Sequence, residues 1–226
     1  IYAQNMQLIF RGEQLFSGNL AVVEPTKLEA LYIQADSTDL FCNGALLQTL
    51  LEQLSVQSFS LPPIITQLGD VHYHGNIHGW LDSLSLKGAF NNSLGSIDVE
   101  GYIHSDTTFQ NFYFSGNVHT QSFQLGRLLK QADLGSVTLD AQVNGQFEDG
   151  QFVEATTIAK IQQFEYKNYS YQNIQIEADI ATQEIKGKLN IKDENIQLDI
   201  ADGLVDWSEE ETRLWLNMEV SNFKPA

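Results

Sequence analysis

The sequence predicts an all-β protein of antiparallel strands with one or two short helices, and three observations carry that prediction. Apolar and polar residues alternate with period two over most of the chain, which places successive side chains on opposite faces of a strand. Short polar breaks such as Ala181–Glu184 and Lys192–Asn195 separate the alternating runs, a length that suits hairpins and not parallel crossovers. A local template recurs three times: Leu-Gly, one polar residue, then a strand with a small residue near its centre.

Taken in chain order, residues 1–39 fit only by their strand character. Leu46, Leu47, Leu50, Leu51 and Leu54 follow helical spacing, which predicts a helix over about 39–53 with Ser37 or Asp39 as its N-cap. Pro62-Pro63 is the strongest punctuation, because proline supplies no ladder donor and restricts the residue before it. It divides the chain into N-terminal strands with a capping helix, 1–60, and a repeat-built β segment, 61–226. Leu68-Gly69-Asp70 leads into Val71, Tyr73, Gly75, Ile77 and Gly79 in one phase; Leu94-Gly95-Ser96 leads into Ile97, Val99, Gly101 and Ile103. The third unit, Leu134-Gly135-Ser136, opens the run Val137, Leu139, Ala141, Val143 and Gly145. Offsets of 26 and 40 residues make this structural self-similarity, not a fixed-length solenoid code.

Leu125, Leu128 and Leu129 predict a second, shorter helix just before the third unit. Either helix is suited to plug the end of a sheet or to cover an open edge. The C-terminal part reads as an up-and-down meander of four runs: Ile174, Ile176, Ala178 and Ile180; then Ile185, Gly187, Leu189 and Ile191; then Ile196, Leu198 and Ile200; and finally Leu214, Leu216, Met218 and Val220. A stack of roughly sixteen such strands would extend roughly 75 Å.

Charge and motif content exclude several function classes. A net charge of -17, from 29 acidic and 12 basic residues, repels polyphosphates and argues against nucleic acid and anionic membrane surfaces as partners. The single cysteine, Cys42, precludes an internal disulfide and reads as a small buried apolar residue. Neither a signal peptide nor an apolar run of membrane-spanning length is visible, and the chain opens at Ile1 inside an expected strand, as an internal piece of a larger protein would. His72, His74 and His78 share one strand face and His104 lies on another strand in the polar phase. That spacing could contribute two metal ligands, but the water-facing phase favours a solvated surface. Gly-x-Ser-x-Gly, His-Glu-x-x-His and phosphate-cradling loops are all missing, and the Glu209-Glu210-Glu211 run lacks a pocket to separate its pKa values. No cofactor is called for, and the expectation is that the chain is not an enzyme. Aromatic clusters at Phe109–Phe114 and Phe164–Tyr171 suggest either a sugar platform or, more commonly, cross-strand packing.

Several segments occur in a familiar order: Leu61–Ile65, Gly75–Gly79, Phe123–Leu129, Leu134–Gly145, Tyr169–Ile174 and Asn195–Asp206. This order resembles the large TamB-like translocation and assembly proteins of the AsmA-like superfamily, of the Bacteroidetes type, over roughly positions 40–226. The resemblance implies a sheet curled into an elongated open trough, a β-taco, apolar inside and polar outside. It implies residence in the periplasm, anchorage in the inner membrane through a segment outside this sequence, and an outer-membrane β-barrel protein as distant partner. Its implied work is phospholipid transport between the membranes, outer-membrane protein assembly, or both, with no catalytic residues. On that reading phospholipid acyl chains meet Val71, Tyr73, Ile77, Ile97, Val99, Ile103, Val137, Leu139, Val143, Ile174, Ile176, Leu189, Ile191, Leu198 and Leu216. The alternatives are a structural scaffold whose apolar phase is a closed core, and a carbohydrate-binding module.

Overall fold

The computed structural model describes residues 1–10, 13–24, 26–27, 30–43, 46, 67–106, 110–149 and 151–224. Thirteen antiparallel strands form one open sheet in strict chain order. They are β1 (Tyr2–Phe10), β2 (Glu13–Val23), β3 (Tyr32–Cys42), β4 (Val71–Trp80), β5 (Ser83–Asn92), β6 (Gly95–Ser105) and β7 (Phe112–Phe123). After the helix α1 (Leu125–Leu129) come β8 (Leu134–Glu148), β9 (Gln151–Tyr166), β10 (Tyr169–Ala181), β11 (Glu184–Lys192), β12 (Ile196–Asp206) and β13 (Arg213–Phe223). The thirteen strands among the described residues extend roughly 58 Å at the usual interstrand spacing. The strands β1, β2 and β3, which fall in the region the pattern left unassigned to a sheet, belong to this one. β3 also pairs directly with β4, so the ladder is continuous between the strands flanking the expected division.

Two expectations change. Asp39–Cys42 are strand, not the first turn of a helix, because each pairs with β4. Ser37 and Asp39 therefore cap nothing; Leu46 is helical and its N–H donates to Asn43 Oδ1 at 3.0 Å, so Asn43 does the capping. The remainder of that expected helix, with Leu47, Leu50, Leu51 and Leu54, and the Pro62-Pro63 break lie outside the described residues. Cys42 is half-buried, not buried.

Two-residue turns join β4 to β5, β5 to β6, β9 to β10 and β10 to β11. At the β9–β10 turn both Lys167 (φ 49°) and Asn168 (φ 64°) take the left-handed conformation that matches the twist of the flanking strands. Extra residues within strands are absorbed as bulges. Register shifts fall between Ala3 and Met6, Ala35 and Thr38, and Thr120 and Phe123. Each holds a residue at positive φ, namely Asn5, Ser37 and Ser122. A side chain on the neighbouring strand takes the N–H each bulge frees: Asn5 donates to Asn19 Oδ1 at 3.0 Å, Ser37 to Asn76 Oδ1 at 2.9 Å and Ser122 to Thr138 Oγ1 at 3.0 Å. An odd insertion would turn the rest of a strand inside out; the bulge keeps its apolar side chains on one face.

Helix α1 lies over the ends of β6–β9. Leu128 joins Leu94, Phe123 and Val137 in a buried cluster, with Leu68, Ile97, Leu125, Leu139, Ile161 and Phe164 packed around it. Gly126 permits this approach, since any Cβ there would strike the carbonyl of Leu134. Lys130 in the left-handed conformation (φ 54°) ends the helix. Leu68 and Leu94 are the leucines of the first two Leu-Gly units, so part of what recurs in the sequence serves this plug.

The β11–β12 hairpin is held by Asp193, 4% exposed. Its carboxylate accepts from Tyr169 Oη (2.6 Å), Gln172 N (3.0 Å) and Asn195 N (2.9 Å). Burial alone would raise this carboxyl's pKa, but the hydrogen bonds outweigh it and hold it below the ordinary range. A folded value depressed below the unfolded one contributes stability that is present above about pH 4 and lost as pH falls through the folded value. Asp193→Ala is expected to cost roughly 3 kcal/mol in urea unfolding at pH 7, three donors losing their acceptor. The gap between variant and parent narrows as pH falls below about 4, and a gap independent of pH would contradict this account.

Candidate functional site

Cross-strand partners share a face, so each face can be followed from strand to strand. One transverse line passes from Thr38 through Gly75, Gly88, Val99, Val118, Ala141, Ala159, Ile176, Leu189 and Ile200 to Met218. It crosses eleven strands without a charged residue. The parallel lines on either side carry Tyr73, Phe90, Ile97 and Thr120, and Ile77, Leu86, Gly101, Gly116 and Val143. In β1–β3 the same face shows Leu8, Phe16 and Leu40.

All fifteen residues assigned from the sequence to an apolar lining stand on this one face. Their surroundings differ. Tyr73, Val137 and Ile174 are 3%, 4% and 5% exposed, and Val137 lies in the cluster under α1 with Ile97 and Leu139 packed against it. Ile103 and Leu216 are open to solvent at 38% and 37%. Val71, Ile77, Val99, Val143, Ile176, Leu189, Ile191 and Leu198 are half-buried. The sequence reading passed over Leu84, Leu86 and Phe90 of β5, Val118 of β7, and Ala159 and Ile161 of β9, which share the face. Period two marks β5 plainly; in β9 the exposed Ile158 on the opposite face blurs it.

Small residues near the strand centres let the backbones close up on this face. A Cβ at Gly75 would strike the carbonyl of Lys87, and one at Gly88 the carbonyl of His74. Farther along, a Cβ at Gly116 would come within 2.7 Å of Gly101 Cα. The Tyr73 ring lies over the Gly75–Gly88 pair and its hydroxyl donates to the Asn76 carbonyl at 2.7 Å. That occupation of glycine space by a neighbouring aromatic ring replaces the missing side chains.

The opposite face is polar, and the histidines belong to it. His74 Nδ1 lies 2.7 Å from Asp39, His78 Nε2 2.6 Å from Asp36 and His119 Nδ1 2.7 Å from Asp140, each across adjacent strands. Hydrogen bonds from Gln34 and His78 hold the Asp36 carboxyl below its ordinary range, and those from His119 and Gln162 do the same for Asp140. His72 packs against Phe41 instead. Among the described residues no three His, Cys, Asp or Glu side chains converge to hold a metal ion. A depression of about 820 Å3 lies over the middle of this face between β4 and β9, bordered by Lys87, Asp98, His119 and Lys160. Of the fifteen, Val99 alone borders it. A twisted sheet is saddle-shaped, so each face is concave along one diagonal.

The aromatic clusters divide between the faces. Phe114 and Phe112 stand on the apolar side and Tyr113 on the polar side, Phe164 packs at the α1 cluster, and Tyr169 meets Tyr171 edge-on at 4.7 Å. Comparison with family models, curated proteins and solved structures finds no match.

Proposed function

We propose that this chain is a segment of a periplasmic, TamB-like lipid trough, whose apolar face shelters phospholipid acyl chains in transit between inner and outer membranes. The observation that carries the reading is the uncharged line from Thr38 to Met218, continuous across eleven strands of an open sheet. Exposing an acyl chain of about sixteen carbons to water costs on the order of 13 kcal/mol, at roughly 0.8 kcal/mol per methylene. A continuous apolar surface removes most of that barrier along its length. A wall of Val, Ile and Leu without fixed polar anchors lets the chain slide where a specific pocket would hold it. At Gly75, Gly88, Gly101 and Gly116 the apolar face carries no side chain, and neighbouring backbones approach closely there. The same surface suits the transfer of unfolded outer-membrane strands, whose lipid-facing side chains need similar shelter.

A second reading, a non-conducting scaffold, is favoured by the sealed cluster of Leu94, Phe123, Leu128 and Val137. The two separate by native mass spectrometry of the chain purified from membranes with mild detergent. The trough retains phospholipid or detergent in near-stoichiometric amount; protein that emerges free of both fits the scaffold and rejects the trough.

A further inference from the structure

The polar face carries an aromatic band that the lipid reading does not use. By register Tyr32 stands beside Trp80, Trp80 beside Ser83, Ser83 beside His104 and His104 beside Tyr113, one transverse line over β3–β7. Tyr102, two residues from His104 along β6, leans into this line through a hydrogen bond between its hydroxyl and Ser83 Oγ. The rings of Tyr102 and His104 lie within 8° of parallel at 6.4 Å, those of His104 and Tyr113 within 28° at 6.4 Å. Trp80 meets Tyr32 edge-on at 5.2 Å. Trp80, Tyr102 and Tyr113 remain 54%, 43% and 46% exposed, an aromatic patch standing in water on the polar face. Directly inward lies a depression of about 560 Å3 bordered by His78, Ser85, Tyr102, Asn117 and Asn144, with the Lys87–Glu100 ion pair (2.9 Å) at its edge.

We propose that this band binds a neutral, linear glycan laid across the strands. A pyranose ring offers an apolar C–H face, which stacks on aromatic rings, and a rim of hydroxyls that both donate and accept. Asn amides and Ser hydroxyls supply both functions in the adjacent depression. Five strands extend roughly 19 Å, enough for several sugar rings. Nucleic-acid bases also stack on aromatic rows. Their phosphates, however, would meet a chain of net charge -17 with Glu100 beside Tyr102 at the adjacent depression, so an uncharged polymer is selected. The site lies on the face opposite the proposed lipid surface, and neither reading depends on the other.

Calorimetric titration of the chain with the hexamers of N-acetylglucosamine and of glucose (β-1,4-linked) tests the proposal. Saturable binding of at least one is expected, weakened about tenfold by Tyr102→Ala or Tyr113→Ala, roughly the contribution of one stacked ring. Tyr113→Phe retains binding, because the ring is kept. Tyr166→Ala, an exposed tyrosine at the β9–β10 turn outside the band, is expected to bind like the parent. Absence of saturable binding by both hexamers, an equal loss in Tyr166→Ala, or tighter binding of a thymidine oligonucleotide would each overturn it.

Discussion

Ile176→Asp and Ile103→Asp are each expected to lower phospholipid co-purification about 30-fold while the sheet stays assembled. Ile176 is half-buried at the centre of β10 and Ile103 is 38% exposed on β6, so neither replacement opens a closed core. A carboxylate at either position stands unpaired on the proposed acyl-chain path, at a cost of roughly 2 kcal/mol or more, equivalent to about 30-fold in occupancy. Leu139→Asp is the poorer probe, because Leu139 packs against the cluster under α1 and its loss would confound folding with transport. Glu177→Ala, adjacent to Ile176 but on the polar face, is the control and leaves lipid content unchanged. Equal lipid content in parent and both aspartate variants, with unchanged circular dichroism, would sink the trough.

Gly88→Val is expected to destabilise the chain by about 3 kcal/mol or more, the upper end of the range for overpacking. Its Cβ would meet the backbone carbonyl of His74, which cannot swing aside, and the Tyr73 ring above it. For a chain of this size the melting temperature falls by roughly 6–12 °C. Gly75→Val produces a similar loss, and the double variant less than the sum, because both act on one close approach. A shift below about 2 °C in Gly88→Val would mean that the backbones are not pressed together there.

Legibility in the sequence followed the regularity of each strand. From β10 to β13 period two is almost unbroken, and all four expected runs correspond to observed strands. The short helix at Leu125–Leu129 was visible because three leucines at helical spacing interrupt that period. In β1 and β3 the bulges at Asn5 and Ser37 shift the apolar phase from odd to even positions or the reverse, so a strict alternation test sees noise where a single face exists. The expected start of a helix at Asp39 failed for a related reason: short-range apolar spacing does not register that Asp39–Cys42 have partners on β4, some 35 residues onward in the chain. Tyr73, Val137 and Ile174 were assigned to an open lining on phase alone, and phase carries no information on what lies above a face.

From β10 to β13 the amino-acid pattern by itself determined strand identity, the meander order and which side chains share a face, because each follows from local alternation and turn length. Only the tertiary structure decided which parts of that face are sealed by α1, where the glycines press adjacent backbones together, and that Trp80, Tyr102 and Tyr113 assemble into one band. These depend on register between strands distant in sequence and on bulges that reset it, and both are set by the sum of many cross-strand contacts.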